Sequence, residues 1–176
     1  VLHAVAADLD VIRRAPSPLV AWGYADLMAK VVSGADWILA EALGVEAIDP
    51  VAWSLVQGEL ASALTEPEAL VRGDAAAFGR LVEGLMMSGL AMQYTGTSRP
   101  ASGAEHQFSH LWDMEHHVYK GEVPSHGFKV GVATHFISWI YGQLLREPLD
   151  RLDVAAACAR WRPEPEVDAA ARPLFG

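Results

Sequence analysis

The sequence predicts an all-α fold, a helical bundle, and three observations carry that prediction. Apolar residues recur at three- and four-residue spacing, as in Phe78, Leu81, Val82, Leu85, Met86 and Leu90, rather than in strict alternation. Helix starts are written repeatedly as a capping residue ahead of a proline or an apolar run, at Ser17-Pro18, Asp49-Pro50 and Asp74. The one β-branched stretch that reads as a strand, within Val1–Ile12, has no second strand to pair with.

Residues 1–16 read as a leading segment, extended or a short strand, closed by the breaker Arg13-Arg-Ala-Pro-Ser-Pro18. Ser17 as N-cap and Pro18 as first helical position start a helix expected to reach Leu43 and stop at Gly44, with Gly34 a weak point inside it. Asp49-Pro50 starts the next, to about Leu64. Pro67 opens a short turn, and Asp74 caps a long helix through Leu90 in which Met86-Met87 fill core space. Ser102-Gly-Ala-Glu105 has the capping-box form, with a serine hydroxyl and a glutamate carboxylate to satisfy free N–H groups. A polar connection, Lys120–Pro124, leads to Ser125, which can cap a further helix with His126 in its first turn. Val132–Leu145 is apolar nearly all round and predicts a central buried helix, with His135 a satisfied core residue. Asp150 is expected to start a last helix to Arg160, and the Pro-rich 161–166 stretch to lead into a short tail.

At 176 residues and 52% hydrophobic, the chain is read as one domain over 1–176, long enough to bury a real core. A net charge of −9 argues against nucleic acid or an anionic membrane as partner. A small anionic substrate stays open, because a local basic pocket overrules the global sign. The single cysteine, Cys158, lies in an Ala-rich helical context and reads as a small core residue without an internal disulfide partner. No charged-then-apolar leader and no apolar run of roughly 18 residues is visible, so a cytoplasmic location is expected. The chain begins with apolar residues and no methionine, as a chain with further sequence upstream would.

Chemistry concentrates between Ser98 and Gly131, which hold five of the seven histidines. His106 and His110 are four residues apart and project from one helix face. Such a pair serves either as packing or as metal ligands. His116-His117, in a charged loop, reads as solvated surface. His126 opens the helix after a connection able to fold back, so it can join His106. A third, anionic ligand would then come from elsewhere. Asp26 is a candidate: it sits mid-helix among apolar residues, where aspartate is intrinsically unfavourable and costly if buried alone. Lys30, one turn on, offers the other reading, a plain i,i+4 ion pair. Two imidazoles and one carboxylate leave a coordination position open and suit Zn²⁺, Ni²⁺, Co²⁺ or Fe²⁺.

Several stretches together resemble a known family. Ala7-Asp-Leu-Asp-Val-Ile12, Ala15-Pro16, Gly23-Tyr-Ala-Asp-Leu-Met-Ala-Lys30, Ser98-Arg-Pro-Ala-Ser-Gly-Ala-Glu-His106, Phe108-Ser-His110 and Ser125-His-Gly-Phe-Lys-Val-Gly131 are similar to the C-terminal half of glycerol-1-phosphate dehydrogenases. These belong to a superfamily with glycerol dehydrogenase, iron-type alcohol dehydrogenases and dehydroquinate synthase. The resemblance runs to about Gln143. It implies an all-helical domain holding one divalent metal (zinc, nickel or iron) by Asp26, His106 and His126. It places His110 where relatives carry a non-ligating histidine near substrate and nicotinamide, the catalytic candidate. Lys30 and Arg99 are candidates for holding an anionic polyol phosphate, Arg99 through forked hydrogen bonds.

Two departures stand out. Ala25 replaces a glycine of the family's Gly-x-Gly-Asp. Nothing here matches a glycine-rich dinucleotide loop after a strand, so NAD(P) is expected only with a nucleotide-binding domain or subunit supplied elsewhere. The resemblance thus implies the metal half of an NAD(P)-dependent polyol-phosphate dehydrogenase, inactive alone, which associates with itself or with another chain. A dehydroquinate-synthase-like cyclase is the first alternative, disfavoured because the resemblance would then predict glutamate at position 26. A non-catalytic helical metal-binding interaction protein is the second.

Overall fold

Helices account for all the regular structure in the computed structural model, which describes residues 5–161 and 164–175 and has no strand among them. The all-α prediction holds. The strand considered near the start is instead a helical turn, α1 (Leu9–Ile12), because the Asp8 carboxylate accepts the N–H groups of Asp10 and Val11. Local capping outweighs the β-branched composition there. Residues 1–4 of that stretch lie outside the described residues.

α2 (Ser17–Ala42) starts one residue earlier than expected, with Pro16 at the N-cap and Ser17 already helical, and it stops before Gly44, whose φ is +69°. Gly34 does not weaken it. A Cβ there would stand 2.6 Å from Gln57 Nε2, and that amide donates to the Lys30 carbonyl at 2.8 Å. The missing side chain is the slot that lets the next helix dock. Asp49 caps α3 (Pro50–Gln57) through the N–H groups of Val51 and Ala52. The expected single helix breaks after Gly58 and resumes as α4 (Leu60–Leu64). α5 (Pro67–Val71) follows, and Asp74 caps α6 (Ala75–Thr95) at the Ala77 N–H.

Two buried clusters join these helices. Leu27 of α2 packs with Leu60, Ala63, Leu70, Phe78 and Leu81, and Trp37 at the far end of α2 packs with Ala52, Val56 and Ala91. α2 is therefore the spine, and its middle carries Asp26 and Lys30.

α7 (Ala104–Met114) and α8 (His126–Leu144) as far as Ile140 complete the first unit of the chain, Val1–Ile140. α8 meets α2 backbone to backbone: a Cβ on Gly127 would stand 2.8 Å from the Trp22 carbonyl carbon, and one on Gly131 would stand 2.8 Å from the Ala25 Cβ. Ala25, the departure from the family's glycine, is accommodated because Gly131 lies opposite.

α8 is not buried all round. Val130, Ala133, Thr134 and Ile137 face inward, while Phe128, Val132, Phe136 and Trp139 are exposed, and so is His135. Periodicity cannot tell a helix buried on every side from one whose second apolar face is left for another surface. The outward face is aromatic: Phe136 stacks on Trp139 and meets Phe108 of α7 edge-on, and Tyr119 stacks on Phe128.

The second unit, Tyr141–Gly176, holds the end of α8, a 3₁₀ turn at Leu149–Arg151, α9 (Val154–Ala159) and α10 (Glu164–Phe175). Asp150 lies in the 3₁₀ turn, and Asp153 caps α9 instead, through the Ala156 N–H. Cys158 is exposed, so it is not a core residue. The expected short tail is a 12-residue helix. No helix of the described residues is long and apolar enough to cross a membrane.

Candidate metal centre

α2, α7 and α8 each bring one side chain to a common point. Asp26 comes from the third turn of α2, His106 from the first turn of α7 and His126 from the first residue of α8, with one ligand atom from each within 4.8 Å of the others. Asp26 Oδ1 lies 3.5 Å from His106 Nε2 and 3.7 Å from His126 Nε2. Its second oxygen accepts from Lys30 Nζ at 3.1 Å. Asp26 and Lys30 are therefore an ion pair, and Asp26 also faces the two imidazoles.

The start of α7 is made differently from a capping box. Gly103 is the N-cap, and no side chain caps from Ser102. The Ala104 N–H goes to Asp36 Oδ2 of α2 at 2.6 Å, and the Gly103 N–H goes to Glu105 Oε1 at 2.9 Å. The same Glu105 oxygen lies 2.7 Å from His106 Nδ1. Only the glutamate half of the box operates, turned inward onto the histidine. At the other imidazole, Ser109 Oγ lies 3.4 Å from His126 Nδ1.

Burial and charge shape the electrostatics. Burial works to raise the Asp26 carboxyl, but the His106 imidazole and the Lys30 ammonium beside it overcome this and hold it at about 2. Burial works to lower His106, and the Asp26 and Glu105 carboxylates overcome that and raise it. His126 is lowered by burial, with His106, Lys30 and Lys129 acting in the same direction against Asp26.

The donor set fits a divalent transition ion. The buried Asp26 Oδ1 has no hydrogen-bond partner and points at two imidazole nitrogens. An ionised carboxylate and a neutral imidazole nitrogen lone pair are both acceptors, so their approach calls for a proton or a cation between them. One oxygen and two nitrogens match the borderline ligands that zinc, nickel and iron(II) accept. The His126 side chain is 51% exposed, so the cluster opens to solvent on that side.

The other sequence candidates lie around this point or apart from it. Lys30, 2% exposed, is at the centre itself. His110 is exposed, one turn beyond His106 with ring centroids 6.5 Å apart. Arg99 donates from Nε to Glu46 Oε2 at 2.7 Å, on the connection between α2 and α3. His116 and His117 are exposed, the latter near the Trp112 ring.

Sequence reasoning missed three residues. In the sequence Glu105 reads only as a cap, although a carboxylate directly before a candidate ligand is a usable signal. Ser109, fully buried, carried no signal at all. Lys129 is 5% exposed and pairs with Asp113. A lysine one turn after His126, in an otherwise apolar helix, was the clue.

No protein-family model matches the chain. Curated proteins do. It is 37% identical over 147 residues to the glycerol-1-phosphate dehydrogenase [NAD(P)+] of Halalkalibacterium halodurans, covering 84% of this chain and 37% of that protein. The Bacillus subtilis enzyme of the same name is 36% identical over 144 residues, 82% of this chain and 36% of the relative. The Pyrococcus horikoshii enzyme is 34% identical over 154 residues, 88% of this chain and 43% of the relative. The chain spans roughly two fifths of the length of these relatives.

Proposed function

We propose, from the chain's place in the glycerol-1-phosphate dehydrogenase family as a partial-length relative, that it supplies the metal-binding half of an NAD(P)-dependent polyol-phosphate dehydrogenase. The observation that carries the proposal is the convergence of Asp26, His106 and His126, from three helices, with a buried carboxylate oxygen left unpartnered between two imidazoles. The named relatives are NAD(P)-dependent, and the nicotinamide would be bound by a nucleotide-binding domain or subunit outside these 176 residues.

Asp26, His106 and His126 would hold one divalent ion of zinc, nickel or iron. When bound, such an ion supplies Lewis acidity that lowers the pKa of a substrate hydroxyl and polarises the corresponding ketone. The chain's own residues do the rest. Lys30 neutralises one Asp26 oxygen and leaves the other directed at the imidazoles. His110, exposed one turn beyond His106, would exchange a proton with substrate. Lys30, 2% exposed and paired with Asp26, would offer its charge to a phosphorylated polyol such as dihydroxyacetone phosphate once a bound divalent ion offsets the neighbouring carboxylates. Arg99 serves the same substrate only if the Glu46 pair opens. The outward aromatic face of α8 favours association with the nucleotide-binding part or a second copy. A clean monomer by sedimentation at tens of micromolar (roughly where weak interfaces populate) counts against that association.

The test is metal content followed by activity. Dialysed protein is expected to retain about one equivalent of divalent ion by elemental analysis, and joining a nucleotide-binding domain is expected to produce NAD(P)H oxidation dependent on dihydroxyacetone phosphate. Protein that takes up no zinc, nickel or iron overturns the proposal.

A further inference from the structure

Glu105 is buried more completely than any capping role requires. It is 0% exposed, and its Oε1 accepts from the Gly103 N–H at 2.9 Å and lies 2.7 Å from His106 Nδ1. Its Oε2 is buried with no hydrogen-bond partner. Among the described residues, the buried side-chain atoms without a partner are this oxygen and Asp26 Oδ1. They belong to the two carboxylates that flank one imidazole, Glu105 on its Nδ1 side and Asp26 on its Nε2 side. Capping accounts for the Gly103 N–H alone and leaves the contact with His106 Nδ1 and the unpartnered Oε2 to be explained.

We propose that Glu105 is a positioning residue for the metal centre: it accepts a hydrogen bond from the Nδ1–H of His106, so that Nε2 is the ligating nitrogen, and it sets a second negative charge behind that ligand. The inference rests on the metal reading above. An ionised carboxylate is acceptor only, so the 2.7 Å contact requires Nδ1 to donate. The Nε2 lone pair is then the one that faces Asp26 Oδ1 at 3.5 Å. The charges agree. Asp26 and Glu105 carry two negative charges, and Lys30, 2% exposed, returns one positive charge. With His106 neutral, as a ligand must be, one buried negative charge remains, of the sign that a divalent cation offsets. A carboxylate behind a ligating histidine fixes its tautomer and orientation and raises its basicity, and loss of such a partner lowers metal affinity about 10–100-fold.

The experiment compares the full chain with Glu105→Gln, which keeps a carbonyl oxygen for the Gly103 N–H and removes the charge. Zn²⁺ and Co²⁺ affinities are read by chelator competition, and the Co²⁺ ligand-field spectrum is recorded for each. The expected result is about a tenfold or greater loss of affinity and a shifted Co²⁺ spectrum, with the thermal melt of the metal-free chain unchanged. If the unsubstituted chain binds neither ion, the metal reading itself fails. If it binds and Glu105→Gln binds equally well with the same spectrum, the inference about Glu105 fails alone. A second measurement needs no variant: ¹⁵N NMR of the Zn²⁺-loaded chain is expected to show His106 protonated at Nδ1 and metal-bound at Nε2. Metal at Nδ1 overturns the inference.

Discussion

Asp26 Oδ1 stands 3.5 Å from His106 Nε2, 80 residues away in the chain, with no hydrogen-bond partner of its own. The two atoms face each other in a buried place, and variants of the two histidine ligands separate the consequences. His126→Ala is expected to lose at least nine tenths of the bound metal with little change in the melt, because its side chain is 51% exposed. His106→Ala removes a side chain that is 7% exposed and is expected to lose metal and also destabilise the fold by about 1–3 kcal/mol. Elemental analysis and thermal denaturation read both. Undiminished metal in His126→Ala refutes the ligand set; equal loss in His106→Ala and His110→Ala points instead to the helical pair.

Removing the metal should reverse the pH response of the site. In the chelator-treated chain, Asp26 is held at about 2, so its contribution to stability is present above the unfolded carboxyl range and fades as pH falls through about 2. His106 is raised, so its contribution is complete below the ordinary imidazole value and is lost as pH rises through the raised one. Stability from the pair is therefore expected to decline from mildly acidic pH toward alkaline pH. With metal present, the ion must displace the His106 proton, so stability is expected to rise over the same range. Denaturant titrations at pH 5.5 and 8.5, with and without Zn²⁺, decide it; parallel trends would contradict the assignment.

Gly127 is where α8 touches the backbone of α2 at Trp22. Gly127→Ala is expected to cost about 1–3 kcal/mol, since the obstacle is backbone and cannot rotate away. The same change moves His126, its neighbour, so metal affinity is expected to fall with stability. Gly142→Ala, where a Cβ meets nothing within 4 Å, is the control: metal affinity is expected to stay the same and stability to stay or rise by up to about 1 kcal/mol.

Dinucleotides are normally held by backbone N–H groups at a glycine-rich turn between a strand and a helix. Among the described residues Gly103 and Gly127 are instead committed to helix starts that present His106 and His126. Titrating the chain with NADH is expected to give no saturable fluorescence change. Saturable binding would show that the helices themselves hold the cofactor.

His110 offers a separate test of chemistry against binding. With a nucleotide-binding domain supplied, His110→Ala is expected to lower kcat by about 10²-fold or more and to leave metal content intact. Equal turnover would remove His110 from the reaction.

The helical class, most helix starts and the identity of the three converging residues were legible in the sequence. Capping depends on neighbours two or three residues apart, so Asp49 and Asp74 announced their helices directly. Other local readings failed for reasons equally physical. The first turn follows the Asp8 cap rather than its β-branched composition, and α8 has the composition of a core helix but leaves Phe136 and Trp139 exposed. Only tertiary structure decided the geometry of the site. Asp26 and His126 meet because two glycines one turn apart let α8 approach α2 at Trp22 and Ala25, a fit that depends on both surfaces. Glu105 and His106 are adjacent in the chain, and adjacent helical residues do not ordinarily face each other. They meet because the first turn of α7 is anchored to Asp36 of α2, and that anchoring, a contact across 68 residues, is invisible in a local reading.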